Sequence, residues 1–220
     1  MKIGLFIPCY VNQLYPNAAI ATLELLQKLG ADVSYPSKQT CCGQPMANSG
    51  YEHLTQSCND LFVENFSGFD YIVAPSASCV LHVKDHLHSH ANEAAATEIR
   101  GKIYELVEFL TDVLKIEKLD AHFPHKVGIH QSCHGLRGLH LAQMSELVAP
   151  DFSKPCIAEE AVSVKMGKDR ITDHTKHGAE YITSPDLSCL MHMEGILQRN
   201  KSKVKIIHIA EILNSSSIKA

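Results

Sequence analysis

A chain of 220 residues is long enough for one large domain or two small ones, and it can bury a core without help from disulfides or metals. It is 45% hydrophobic and 20% charged with a formal net charge of -4, which excludes the basic field that a nucleic-acid binder needs. The opening MKIGLFIPCYVNQLYPN has one lysine and a short apolar run ended by Pro8, unlike a signal peptide, and no later run approaches the roughly 20 apolar residues of a membrane span. A cytoplasmic protein is expected, where thiols stay reduced, so the eight cysteines point to metal or redox chemistry before structural disulfides.

In chain order, KIGLFIP reads as a buried strand. Asn17 to Gly30 is apolar at Ala18, Ala21, Leu25 and Leu29, a helical spacing, with Gly30 as its stop. ADVSY reads as a second strand. A helix over Tyr51 to Phe66, the strand DYIVAP and a helix beginning near Ser76 continue the alternation, which predicts an α/β fold with a mainly parallel sheet. From Ala91 to His125 the alanine-rich NEAAATEIR leads into KIYELVEFLTDVL. The latter is apolar at Ile103, Leu106, Val107, Leu110, Val113 and Leu114 and predicts an amphipathic helix packed on the first half, with DAHFPH as the link onward.

An internal repeat is more informative. FDYIVAPSASCVLHV, ending at Val83, and AEYITSPDLSCLMHM, ending at Met193, share a strand, Pro, Ser, Cys, two apolar residues and His in register. Earlier in each half a strand runs into a cysteine, at Cys9 and at Cys133. The chain therefore reads as two pseudo-repeated, Rossmann-like halves, 1–125 and 126–220.

Cys9 and Cys79 each follow a strand, which puts them beyond the carboxyl edge of a parallel sheet, where open α/β folds build their sites. The loop TCCGQP brings Cys41 and Cys42 in from the side, so four thiolates converge. Four soft sulfurs suit zinc or an iron-sulfur cluster. Structural zinc usually uses C-x(2-4)-C knuckles, absent here, and adjacent cysteines chelate one small ion poorly, whereas a multi-iron cluster can use both. A redox disulfide between Cys41 and Cys42 is a further reading, at the expense of backbone strain. Cys58 reads as a small buried hydrophobe, and Gly43 as the residue that lets the loop turn tightly beside a cluster. His130 and His134 flank Cys133 and either serve a cluster as hydrogen-bond donors or ligands, or pack at the strand end. His82 and His192 are expected to orient helix starts. Arg137 is expected either to balance cluster charge or to be solvated. The chain has no P-loop, nucleophile elbow or HExxH, so nucleotide and hydrolase readings lose support.

These residues resemble the cysteine-rich CCG domain found in heterodisulfide reductases. They are closer still to the cysteine-rich iron-sulfur proteins of the bacterial lactate-utilisation operon and of the related glycolate oxidases. FIPCYVNQLYPN, QTCCGQPMANSGY, APSASC, HQSCHGLRGL, AVSVKMGKDRITDH and GAEYITSPDLSCLMHMEGI carry the likeness nearly end to end. The resemblance implies a [4Fe-4S]-type cluster on Cys9, Cys41, Cys42 and Cys79, with Cys133 and Cys189 belonging to a second. It implies an oxidoreductase subunit that carries electrons during L-lactate oxidation to pyruvate, with partner iron-sulfur subunits and no direct membrane insertion. The alternatives are a non-catalytic zinc-binding scaffold and a component of a heterodisulfide-reducing complex.

One departure stands out. The family has a second CCGFGG-like loop before EEAVSVKMGKDR, but here APDFSKP runs directly into CIAEEAV. Either a loop is unrecorded between Pro155 and Cys156, or the second site is truly lost. The first is favoured, because a deletion that spares Cys133 and Cys189 is hard to rationalise; Cys156 is then not a ligand.

Overall fold

The computed structural model describes residues 1–141 and 160–215, the side chains of 160–163 excepted. The first sheet uses β1 (Lys2–Leu5), β2 (Asp32–Ser34), β3 (Tyr71–Ala74) and β4 (Ile103–Glu105) in the order β2-β1-β3-β4, every pair parallel. The second uses β5 (Val127–Ile129), β6 (Tyr181–Ser184) and β7 (Lys205–His208) in the order β5-β6-β7, again parallel. The fold is α/β with parallel sheets, as the alternation predicts, because parallel neighbours require a crossover that helices supply. The helix Pro16–Lys28 illustrates the local logic. Proline occupies its first turn, Ala18, Ala21, Leu25 and Leu26 form its buried face, and Gly30 follows in a left-handed conformation.

One apolar cluster joins the two halves. Ile3, Leu5, Leu25 and Leu26 lie in it together with Ile182, Leu190, Met193 and Ile209, and burying a side chain of this size contributes about 1.5–3 kcal/mol. Polar contacts reinforce the seam: the Asn214 amide donates to Glu24 Oε2 at 2.7 Å and Tyr15 Oη to Glu194 Oε2 at 2.7 Å. A second cluster, with Phe6, Phe62, Phe66 and Ile72, fills the other face of the first sheet. The Phe6 ring meets Phe62 edge-on at 4.8 Å.

The structure departs from the sequence reading in four places. The helix expected over Tyr51 to Phe66 is broken into a 3-10 turn, Glu52–Leu54, and a helix, Gln56–Phe66. The break falls at Thr55, whose hydroxyl turns back to Glu52 O at 2.7 Å and whose side chain is buried beneath the CCG loop.

The amphipathic helix expected from Lys102 onward begins instead as a strand. Ile103–Glu105 pairs with β3, and only then do Leu106–Glu108 and a π-helical turn, Phe109–Val113, follow. Apolar spacing at Ile103, Leu106, Val107 and Leu110 suits a helix as well as a strand entering a helix, and the sheet edge decides. The junction is a capping box. Glu105 Oε2 accepts from Val107 N at 2.6 Å while Glu105 N donates to Glu108 Oε2 at 3.1 Å. The same device recurs at His208, whose Nδ1 accepts from Ala210 N at 3.2 Å and whose N donates to Glu211 Oε1 at 3.0 Å. IYELVE and IIHIAE are thus a further stretch of the repeat.

Cys58 is only partly buried in its helix and lies outside the two apolar clusters. Finally, the sequence runs unbroken through Pro155 and Cys156, so the second paired-cysteine loop is truly absent. The expectation of an unrecorded segment is overturned. Cys156 itself lies outside the described residues.

Candidate functional site

Three neighbouring strands aim cysteines at one edge. Cys9 opens the helix Cys9–Leu14 directly after β1, and Cys79 lies in the first turn of the helix Ala77–His86 after β3. Cys41 and Cys42 arrive on the segment after β2. Gln39 anchors that segment to the end of β1, accepting from Ile7 N at 2.7 Å and donating to Leu5 O at 2.9 Å. Gly43 then turns the chain with φ at 89°, a left-handed conformation, and its N–H donates to Cys41 Sγ at 3.3 Å. The backbone therefore favours glycine, and a Cβ on Gly43 would press on the Thr55 side chain at 3.1 Å. Gln44 completes the clamp, donating to Ser78 O at 3.1 Å.

The result is a row of thiols: Cys9 neighbours Cys41, Cys41 neighbours Cys42, and Cys42 neighbours Cys79. Cys42 and Cys79 are buried, Cys41 is intermediate, and Cys9 opens to solvent. Cys42 and Cys9, aided by the Gly43 N–H and by His82, push the Cys41 thiol below its ordinary range. Donating to it raises Cys42 and Cys9, with burial adding to both. Among the described residues no group of three or more His, Cys, Asp or Glu is placed to hold one metal ion. As a donor set, four cysteine sulfurs gathered at one sheet edge fit an iron-sulfur group.

His82 is buried and stacks on His86 with ring centroids 5.0 Å apart. Burial, with His86 beside it, lowers its pKa, while the negative Cys41 opposes that shift. It does not orient the helix start as the repeat had suggested. Ser76 does, its Oγ accepting from Cys79 N at 3.5 Å, and Asp186 serves the second copy.

Asp186 is the functional residue that sequence reasoning missed. Ser76 and Asp186 are equivalent in the repeat, and the structure joins them in an antiparallel bridge between the halves. The Asp186 side chain is 0% exposed and accepts from Ser188 N at 3.2 Å, capping its own helix Leu187–Arg199. It also accepts from Ser78 N at 3.1 Å and Ser78 Oγ at 3.1 Å, capping the helix that carries Cys79. Two helix N-termini thus share one carboxylate, an arrangement their dipoles favour. Tyr10 stands beside it, bonded to Ser76 Oγ at 3.0 Å. Burial raises its phenol strongly, and charge at Asp186, Cys79 and Cys189 adds to the rise. The available signal was the capping residue three positions ahead of each repeated cysteine.

In the second half Cys133 and Cys189 follow β5 and β6 at the equivalent edge, both of intermediate exposure. No second CCG loop exists to meet them. His130 lies just past β5, and its backbone N donates to Thr183 O at 2.7 Å. His134 begins the π-helical turn His134–Gly138, and Arg137 in that turn is exposed. Cys58 comes within electrostatic reach of Cys41, which helps raise its thiol after burial.

The sequence model of the cysteine-rich CCG domain matches residues 3–84, the part that supplies the row of thiols. Lactate utilization protein A of Geobacillus sp. (strain WCH70) is 35% identical, the match covering 98% of this chain and 100% of the relative. The chain belongs to the lactate utilization protein A family. Its relative from Bacillus subtilis (strain 168) is 33% identical over 98% of this chain and 100% of its own length. That from Geobacillus thermodenitrificans (strain NG80-2) is 34% identical over 97% and 99%. The first alignment spans 237 positions, more than the 220 residues here, so that relative carries residues this chain lacks. Among the described residues no helix is long and apolar enough to cross a membrane.

Proposed function

We propose that Cys9, Cys41, Cys42 and Cys79 hold one iron-sulfur cluster of the [4Fe-4S] type. On this reading the chain is an electron-carrying subunit of a cytoplasmic system that oxidises L-lactate to pyruvate, working beside partner iron-sulfur subunits. The observation that carries it is the row of four cysteines, drawn from three segments onto one sheet edge. The relatives' name supplies the lactate context. Bound there, a cluster supplies one-electron transfer at a potential set by its surroundings.

The chain's own residues set those surroundings. The Gly43 N–H donates to Cys41 Sγ and disperses its negative charge. Asp186 and Ser76 hold the start of the Cys79 helix, and the solvent-facing side of Cys9 leaves an edge at which a redox partner can approach. The second half, with Cys133 and Cys189 but no paired loop, is proposed to serve as the scaffold that supplies Asp186.

Purification without oxygen, followed by iron, sulfide and zinc analysis with visible and electron paramagnetic resonance spectra, tests this. About four irons and four sulfides per chain with a reducible spectrum are expected, and Cys41→Ser should lose them. Stoichiometric zinc without iron, or full iron in Cys41→Ser, would refute the assignment. About eight irons would show the second site loaded.

A further inference from the structure

The row of thiols has an outer pair and an inner pair. Cys9 is exposed and Cys41 partly so, whereas Cys42 and Cys79 are 5% and 4% exposed. A small oxidant in solution therefore meets the outer pair first, and oxidation of cysteine follows exposure and thiolate character.

The backbone sets the outer pair side by side. Gln39 stands two residues ahead of Cys41, and Ile7 two residues ahead of Cys9. The Ile7 N–H donates to Gln39 Oε1 at 2.7 Å and Gln39 Nε2 donates to Leu5 O at 2.9 Å, a staple that ties the start of the CCG loop to the turn leading from β1 into Cys9. Cys41 comes to rest as the neighbour of Cys9. Its sulfur accepts from the Gly43 N–H at 3.3 Å, which favours the thiolate, the form that reacts.

The other neighbour of Cys41 is a poorer partner. Cys42 is the next residue, and consecutive Cα atoms across a trans peptide stand about 3.8 Å apart, below the roughly 4.4–6.8 Å that a disulfide spans. Cys42 and Cys79 are shielded from a dissolved oxidant by their burial.

We infer that Cys9 and Cys41 form a reversible regulatory disulfide in the cluster-free protein, closed by a peroxide and reopened by a dithiol. In the first step the Cys41 sulfur bonds to one peroxide oxygen, the O–O bond breaks, and the departing hydroxide takes a proton and leaves as water. Cys9 then attacks the sulfur of the resulting sulfenic acid. The S–S bond forms, the S–O bond breaks, and the second water leaves with the Cys9 proton. Two thiols thereby give two electrons and two protons to one peroxide, and a dithiol returns them by exchange through a mixed disulfide. The closed form withdraws two of the four sulfurs proposed to hold the cluster, so the oxidised chain does not load until it is reduced. This gate rests on the cluster reading proposed above; the disulfide itself does not.

The test takes the metal-free full chain, reduced and then separated from reductant without oxygen, and adds an equimolar amount of hydrogen peroxide. Remaining thiols are blocked with N-ethylmaleimide after unfolding, and the peptides are mapped by mass spectrometry. Loss of two of the eight thiols is expected, with a Cys9–Cys41 link that dithiothreitol removes and with Cys42 and Cys79 recovered as thiols. In Cys9→Ser, Cys41 should pass instead to sulfinic acid. A main product linking Cys41 to Cys42 or to Cys58, oxidation of Cys42 and Cys79 as fast as the outer pair, or no link at all would overturn the inference. Should Cys9→Ser fail to fold, the wild-type map decides alone. A preassembled cluster offered on a carrier protein without added thiol separates the two readings. Loading of the reduced chain and not of the oxidised one supports the gate, and equal loading of both overturns it. Loading of neither sinks the cluster, and the gate with it, while the disulfide stands or falls on the peptide map.

Discussion

Removing the Asp186 carboxylate should loosen both helix starts at once. In Asp186→Ala, Ser78 N loses an acceptor that now lies at 3.1 Å in a buried setting, and Ser188 N one at 3.2 Å in a part-buried setting. Each unsatisfied buried donor costs about 1–3 kcal/mol. The two serine hydroxyls can rotate elsewhere, since Ser78 Oγ already lies 3.4 Å from Ser76 Oγ. The expected loss is about 2–5 kcal/mol, a large part of the roughly 5–15 kcal/mol that holds a domain folded. Asp186→Asn keeps one carbonyl acceptor and should lose about 1–3 kcal/mol. Urea unfolding of the metal-free protein at pH 7 reads this as a lower midpoint at unchanged slope, and amide exchange at Ser78, Cys79 and Ser188 locates it. A loss under about 0.5 kcal/mol in Asp186→Ala, within the range of an ordinary surface change, would refute the shared cap. So would faster exchange confined to Ser188.

Burial lowers the pKa of His208 from 6.5 to about 4, so the folded state prefers neutral imidazole while the unfolded chain takes up a proton. Its contribution is full above pH 6.5 and is lost as pH falls toward 4, by about 3 kcal/mol at 1.36 kcal/mol per pKa unit. Urea midpoints of wild type and His208→Asn across that range check it, and equal slopes would contradict it. Glu105 shifts the other way. Burial raises its carboxyl well above 4.5, so stability is present below that pH and is lost as pH rises toward the folded pKa. Glu105→Gln should therefore gain on wild type as pH rises above 4.5, and a flat difference counts against it. Gly43→Ala forces a side chain into φ of 89° and against Thr55, at about 1–2 kcal/mol for the conformation alone. Lower stability and less bound iron are expected, with Gly43→Asn milder, and full iron at unchanged stability would show that the turn is not needed.

Much of the architecture was legible in the sequence because it rests on short-range pattern. Short apolar strand runs and helical runs alternate, and the run of strand into cysteine at Cys9, Cys79, Cys133 and Cys189 puts each thiol at a carboxyl edge whatever the packing. The repeat around Ser-Cys announced two equivalent helix starts. The break at Thr55 and the strand Ile103–Glu105 were not legible. Thr55 is set by contact with a loop twelve residues upstream, and the apolar spacing after Ile103 serves either element until β3 lies beside it.

The sequence by itself determined the parallel α/β alternation, the repeat and the glycine after paired cysteines. These depend on residue type and local spacing, which need no partner. Only the tertiary structure decided that Asp186 caps a helix 108 residues away, that Ser76 and not His82 holds the start of the Cys79 helix, and that Thr55 is buried beneath the CCG loop. A buried polar group takes its role from the donor or acceptor it meets, and for these side chains the chain folding back on itself selects that partner.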